Sequence, residues 1–338
     1  MSRRRRDPWV WVRLTVGAAI LAVLFWQLGL DPFLEPLHRI DAAALAAAAG
    51  IAVLTTACCA WRWRLVSRGL GSDLPMGTAI SACYRSQFLN TVLPGGVLGD
   101  VHRAVRRGRD VGDVGHGLRV VAWERSAGQV VQVALTALAL LVLPSPVRSS
   151  MPTLLVAGVT AALAVVLLGR ALSRRGHPAL VRVVRAVADD IRRGLLARRA
   201  WPGVVLTSAV VVLGHTATFL IAARTAGSTT SAVEMLPLAL LVLLATALPT
   251  NIAGWGPREG AAAWVFAMAG LGAAQGVATA VVYGVLVLVA TLPGAALLMV
   301  AWLRPGRGQT EPAAGDRLRL LSRRRPRAGV PLEGATHG

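Results

Sequence analysis

Long apolar runs, cut at intervals by short polar or arginine-rich segments, dominate the chain. Continuous stretches cover residues 10–30, 42–61, 118–143, 152–169, 203–223 and 276–303. Each approaches or exceeds the ~20 residues a helix needs to cross a hydrocarbon layer about 30 Å thick. Backbone polar groups find no water at that depth, so such runs predict helices. Two further regions, 76–102 and 235–272, are equally apolar but interrupted by proline, glycine and polar groups. The pattern predicts an all-α polytopic membrane bundle with six full spans and two broken, re-entrant regions.

Charge orients the elements. All 36 basic residues are arginine, four of them in 1–6, three in 62–68, five in 103–119, nine in 170–199 and eight in 304–327. Basic connections alternate with poor ones, which is the positive-inside pattern of a multi-pass protein. The reading is a cell (plasma) membrane protein with both termini cytoplasmic and Asp31, Glu35 and Asp41 in the first external loop. By parity, 76–102 begins and ends on the cytoplasmic side, and 235–272 begins and ends outside. The order span, span, broken region, span then occurs twice with opposite starting sides. That is an inverted-topology repeat, which in transporters puts binding sites where helices break. A bundle with two irregular loops and no functional symmetry is the plainer alternative.

Residues 1–303 are expected to form one membrane domain. Within it, Leu180, Val184, Val187, Ile191 and Leu195 recur at helical spacing among arginines. Segment 178–200 therefore predicts a helix in the cytoplasmic headgroup plane. Residues 304–338, rich in Arg, Gly and Pro, predict a disordered cytoplasmic tail. Arg3–Arg6 followed by an apolar run resembles a signal peptide, but the run is long and reads as an uncleaved first helix.

Composition narrows the function classes. With 55% hydrophobic and 15% charged residues, the chain is neither disordered over most of its length nor an ordinary water-soluble enzyme. A net charge of +20 is also the footprint of nucleic-acid binders, but its placement in alternate loops argues for membrane topology and no nucleic-acid partner. Cys58, Cys59 and Cys83 lack metal-ligand spacing and read as small packed hydrophobes. His38 and His215 have no clustered ligands, so no metal site is expected. No phosphate loop, dinucleotide fingerprint or nucleophile elbow occurs, and no cofactor is expected.

Three constellations carry candidate chemistry. The first runs from Arg85 through Gln87 and Asn90 to Pro94, Gly95, Gly96, Gly99, Asp100 and Arg103. Pro94 cannot donate a backbone hydrogen bond and the glycines permit positive φ, so a helix should stop here with exposed backbone beside charge. A loop with an Asp100–Arg103 cap pair is the structural alternative. The second includes Pro249, Asn251, Gly254, Gly256, Pro257, Arg258 and Glu259. Pro257 suits the first turn of a returning helix, and Glu259 its positive N-terminal end. Adjacent residues diverge on a helix, so Arg258 and Glu259 are expected to find separate partners. The third is Glu124-Arg125, either an interfacial pair or a source of a carboxylate for Arg85 or Arg258. An ionisable group inside a membrane is a functional-site hypothesis by default.

At these residues the sequence resembles the lysylphosphatidylglycerol synthase transmembrane-region family, also called flippase-like, which forms the membrane half of multiple peptide resistance factor. The resemblance rests on Asn90-Thr91-Val92-Leu93-Pro94-Gly95-Gly96, Gly99-Asp100 with Arg103, Glu124-Arg125 and Gly254-Trp255-Gly256-Pro257-Arg258-Glu259-Gly260, spread over residues 10–303. The first motif departs from the family's usual pattern, which has a basic residue after Pro-Gly and two glycines before the aspartate. The resemblance implies movement of lipids or lipid-linked precursors between leaflets. In two-part relatives a separate soluble domain transfers the aminoacyl group, and no room for that domain is read in this chain.

The function expected is translocation of an anionic lipid or a lipid-linked precursor between leaflets, with membrane lipids as partners. Arg85, Arg103 and Arg258 would offer guanidinium donors to a phosphate, with Gln87, Asn90, Arg125 and Asn251 beside them. Asp100, Glu124 and Glu259 would hold the arginines. Alternatives are a membrane-embedded lipid-linked glycosyl or acyl transferase, and a scaffold for a separate cytoplasmic synthase.

Overall fold

The computed structural model describes residues 8–143, 186–195, 197, 200–246 and 255–303. Among these the regular elements are helices. The chain divides into two units, Met1–Leu297 and Leu298–Gly338, the second described only over 298–303.

The first helix, α1 (Pro8–Leu28), ends at Gly29, whose positive φ of 75° turns the chain. A short helix α2 (Asp31–Leu34) and a 3₁₀ turn (Glu35–Arg39) follow, bent by 113° from the end of α1. Asp41 then caps α3 (Ala42–Gly69), accepting the Ala44 N–H at 2.8 Å. Such a cap satisfies one of the four amides that open every helix. The next pair, α4 (Met76–Val92) and α5 (Leu98–Asp110), is separated by a break at residues 93–97. Helix α6 (Val114–Val142) starts at the Asp113 cap, which accepts the His116 N–H. Beyond come α7 (Trp201–Thr225), α8 (Ala232–Ala245), α9 (Pro257–Met268), α10 (Ala273–Ala290) and α11 (Leu292–Leu303).

Among the described residues, four helices are long and apolar enough to cross a membrane: α3, α6, α7 and the run Ala273–Leu303 formed by α10 and α11. The bent assembly of α1 with α2 and the 3₁₀ turn raises the number to five if it counts as one span. The expected count of six spans is therefore not reached among the described residues; the stretch 152–169 lies outside them. Residues 178–185, 196, 198 and 199 of segment 178–200, and all of 304–338, also lie outside. Residues 186–190 are helical and run into one π-helical turn, Ile191–Leu195.

Both interrupted regions are helix–break–helix units, α4 with α5 and α8 with α9, and within each unit the two helices pack together. Helix, broken pair, helix thus occurs twice in chain order: α3, α4/α5, α6 and α7, α8/α9, α10.

Hydrophobicity adds little to helix association in lipid, so close packing of small residues must supply it. The core of the bundle has that composition. Ala48, Ala222, Ala239, Ala262 and Ala280 are at most 2% exposed and surround the rings of Phe219, Phe266 and Tyr283. The Phe219 centroid lies 5.6 Å from Tyr283 and 6.4 Å from Phe266, within the range of favourable ring pairs. Gly276 permits one close approach: a Cβ there would strike the Ala262 carbonyl of α9. Large apolar side chains such as Val130, Leu138, Leu206 and Leu213 lie on the exterior instead. An apolar exterior around buried arginines and carboxylates is the distribution of a protein whose solvent is lipid.

Candidate functional site

The first broken region folds around Gly99. Its Cα sits so close to α4 that any Cβ would collide with the Ser86 carbonyl and approach Asn90 Oδ1. Gly95 and Gly96 supply the positive φ values, 91° and 61°, that reverse the chain. The close approach lets Asn90 Oδ1 accept the Gly99 N–H at 2.8 Å and its amide donate to Asp100 Oδ2 at 2.8 Å. Asp100 is thereby fixed at the start of α5.

From Asp100 an ion chain runs through the bundle. Arg103 donates to Asp100 Oδ1 at 2.9 Å and to Glu124 Oε2 at 2.6 Å. Arg62 donates to the other Glu124 oxygen from Nε at 2.8 Å and Nη2 at 2.5 Å, and to Ser208 Oγ on α7 at 3.0 Å. Arg125 closes the far end on Asp100 Oδ2, and Ser86 donates to Oδ1. Glu124 is 1% exposed, and Arg62 and Arg103 are 6%. Three guanidiniums against two carboxylates leave one net positive charge, and Arg125 is the member with an open side, 41% exposed. Burial of this many ions is tolerable only because each charge meets an opposite one with good geometry.

The structure corrects the sequence reading here. Glu124 meets neither Arg85 nor Arg258; its partners are Arg62 and Arg103. Arg62 was expected at the edge of a basic loop, but α3 continues through Gly69 and carries it inside. Its signal was the small and polar stripe Thr55, Cys59, Arg62, Val66, which follows helical spacing along one face. Arg85 donates from Nε to the Ser81 carbonyl of its own helix and stands apart from the ion chain.

The second broken region brings Arg258 and Glu259 into direct contact, contrary to the expectation of separate partners. Glu259 is the third residue of α9 and reaches back to accept the Gly256 N–H at 2.7 Å. This turns its carboxylate toward the helix start, where Arg258 folds over to donate from Nε at 2.9 Å and Nη2 at 2.6 Å. Gly256 adopts φ of 116°, open to glycine and strained for other residues. The Arg258 guanidinium also lies 5.4 Å from the Tyr283 ring centroid and 5.6 Å from that of Trp255. Tyr283 Oη pairs with His215 Nδ1 at 3.0 Å. Pro257 occupies the first turn as expected. Pro249, Asn251 and Gly254 lie outside the described residues.

Two cavities connect these groups. One, of about 230 Å³, is lined by the ion chain together with Gln129, Gln132 and His215. The other, of about 260 Å³, is lined by Gly96, Thr218, Arg258 and Tyr283 among others. Gln87, Asn90, Arg125, His215 and Thr246 belong to both walls, so the cavities adjoin. Of the sequence-predicted residues, Gln87, Asn90, Asp100, Arg103, Glu124, Arg125 and Arg258 line one or both; Glu259 supports Arg258 from behind. Gln129, Gln132, Ser208, His215 and Tyr283 were not expected as site residues, since single polar residues within apolar runs resemble ordinary core positions; Ser86, between Arg85 and Gln87, was passed over.

A sequence model described as the lysylphosphatidylglycerol synthase TM region matches residues 10–294. The chain belongs to that family. The lysylphosphatidylglycerol synthase transmembrane match covers both broken helix pairs and every residue of the ion chain, and with the four long apolar helices it makes the protein an integral membrane protein. No curated protein sequence matches the chain at a significant level.

Proposed function

We propose that this protein moves an anionic lipid, or a lipid-linked precursor, between membrane leaflets without transforming it. The observation that carries the reading is the pair of adjoining cavities, each lined in part by charged and polar side chains, inside a bundle with an apolar exterior. A headgroup crossing a bilayer needs polar partners in place of water, and an unpaired charge at mid-depth costs about 2.5–3.5 kcal/mol on the insertion scale. The cavity walls offer such partners. Arg125, held on Asp100 but half open, would take a phosphate oxygen, since guanidinium pairs with phosphate in a planar, often bidentate geometry. Arg258, held by Glu259, would receive the anion at the second cavity. Arg62 and Arg103 are saturated by Glu124 and Asp100 and serve as scaffold. Broken helix pairs would let the surrounding backbone rearrange as access changes.

The experiment is reconstitution of the full chain into liposomes carrying fluorescent phospholipids or polyprenyl-phosphate analogues, with leaflet-selective quenching. Protein-dependent loss of the protected fraction is the expected result. Rates equal to those of empty liposomes across all headgroups would reject the proposal.

A further inference from the structure

Arg85 and its surroundings form a second basic pocket away from the two large cavities. It is small, about 20 Å³, and lies between α3, α4 and α5. Three features of its wall leave capacity for an anionic ligand. Trp63 is 1% exposed, yet among the described residues its indole N–H has no partner, and the Nε of Arg107 is likewise buried and unpartnered. Buried donors of this kind are uncommon, because an unmade hydrogen bond costs about 1–3 kcal/mol. Arg85, only 9% exposed, has no carboxylate within ion-pair distance among the described residues, its one hydrogen bond being the Nε contact with Ser81. His102 and Arg106 stand at the exposed mouth, where Asp110 is the one acid lining the pocket.

The wall therefore combines residues with orphaned N–H donors and excess positive charge around a space that admits little more than an oxygen atom or two. Arg103 also reaches the wall, but its charge is spent on Asp100 and Glu124. On the same helix α5, Leu98 and Val101 are exposed at helical spacing, beside the basic residues. Apolar side chains flanking arginines on one helix are suited to the boundary of a membrane, where phosphate groups lie.

We propose that the pocket bounded by Trp63, Arg85, Arg106 and Arg107 is a binding site for a phosphate group. Its oxygens accept from the Trp63 indole and from Arg85, while the rest of the anion projects past Arg106. The phosphate belongs to an anionic lipid or to a soluble phosphate. The site does not depend on the translocation reading, because Arg85 lines neither large cavity.

The test uses the full chain in nanodiscs, labelled with 5-fluorotryptophan, the Trp63 resonance being assigned by its loss in Trp63→Phe. Inorganic phosphate is titrated in neutral phosphatidylcholine discs, and a parallel series replaces part of the lipid with phosphatidic acid. A shift of the Trp63 line with inorganic phosphate identifies a soluble occupant; a shift with phosphatidic acid alone identifies a lipid. In Arg85→Gln the half-saturating concentration should rise about tenfold, the effect of one charge-assisted hydrogen bond. Arg106→Gln, at an exposed position where folding is not at stake, should raise it about threefold. A Trp63 line that moves with neither probe overturns the proposal. So does a titration unchanged in Arg106→Gln together with any folded Arg85 variant. Leaflet exchange, measured separately, bears on the translocase reading and leaves this one untouched.

Discussion

Arg62 and Glu124 stand 62 residues apart in sequence, yet two guanidinium nitrogens of the one converge on a single carboxylate oxygen of the other. The second oxygen of Glu124 holds Arg103, which in turn holds Asp100. One carboxylate thus ties α3, α5 and α6 together. Its removal leaves two buried cations without a full partner.

Glu124→Gln is accordingly expected to destabilise the fold by about 3–5 kcal/mol, the usual loss on breaking a buried pair from one side. Denaturant unfolding in detergent checks this. Combining it with Arg62→Met should cost less than the sum of the two single changes, because the double variant strands one cation fewer.

Arg125→Gln should behave differently. The side chain is 41% exposed, so its ion pair contributes less than about 1 kcal/mol to folding. If it is the group that takes the headgroup, lipid exchange should fall at least about tenfold, as expected for a lost charge-assisted contact. Unfolding and exchange measured on the same preparation separate the two effects, and exchange at the wild-type rate would remove Arg125 from the proposed path.

Gly284 leaves the room that Arg258 occupies. A Cβ at 284 would collide with Arg258 Nη2 and lie 3.1 Å from Cζ. Gly284→Ala should therefore push the guanidinium off Tyr283 and cost about 1–3 kcal/mol, in the range of overpacked sites. In an Arg258→Met background the same substitution should cost less. Equal penalties in both backgrounds would show that the clash is relieved elsewhere.

Asp73 provides a surface comparison. Its hydrogen bond from Arg68 holds the carboxyl below the ordinary aspartate range. A depressed folded-state value means that any stabilisation is present at neutral pH and fades as pH falls through that range. Both partners lie in solvent, so Asp73→Asn should leave the unfolding transition unchanged at neutral and at mildly acidic pH. A lower transition at neutral pH, closing on acidification, would contradict this.

Much of the site was legible before any coordinates. Pro94 with Gly95 and Gly96 marked one break, and Gly256 with Pro257 the restart of a helix after the other, since those residues act on their own backbone. Asp100 and Arg103, three residues apart on one helix, had to be neighbours. Arg62 was misplaced because a run of arginines reads alike whether it is solvated or begins inside a bundle. Arg258 and Glu259 were separated because the expectation assumed mid-helix geometry; the cap on Gly256 N–H swings the glutamate toward the helix start.

What the chain determined alone is local: where apolar runs are long enough to cross a bilayer, where proline and glycine interrupt them, and which residues carry charge. Run length and backbone freedom depend on neighbours in sequence, so these features survive without a fold. The pairing of charges is another matter. A glutamate at 124 has several arginines to choose from, and only the close packing of α3, α5 and α6 made Arg62 and Arg103 its partners and left Arg85 facing a different pocket. That choice is set by which helix faces meet, a property of the whole bundle.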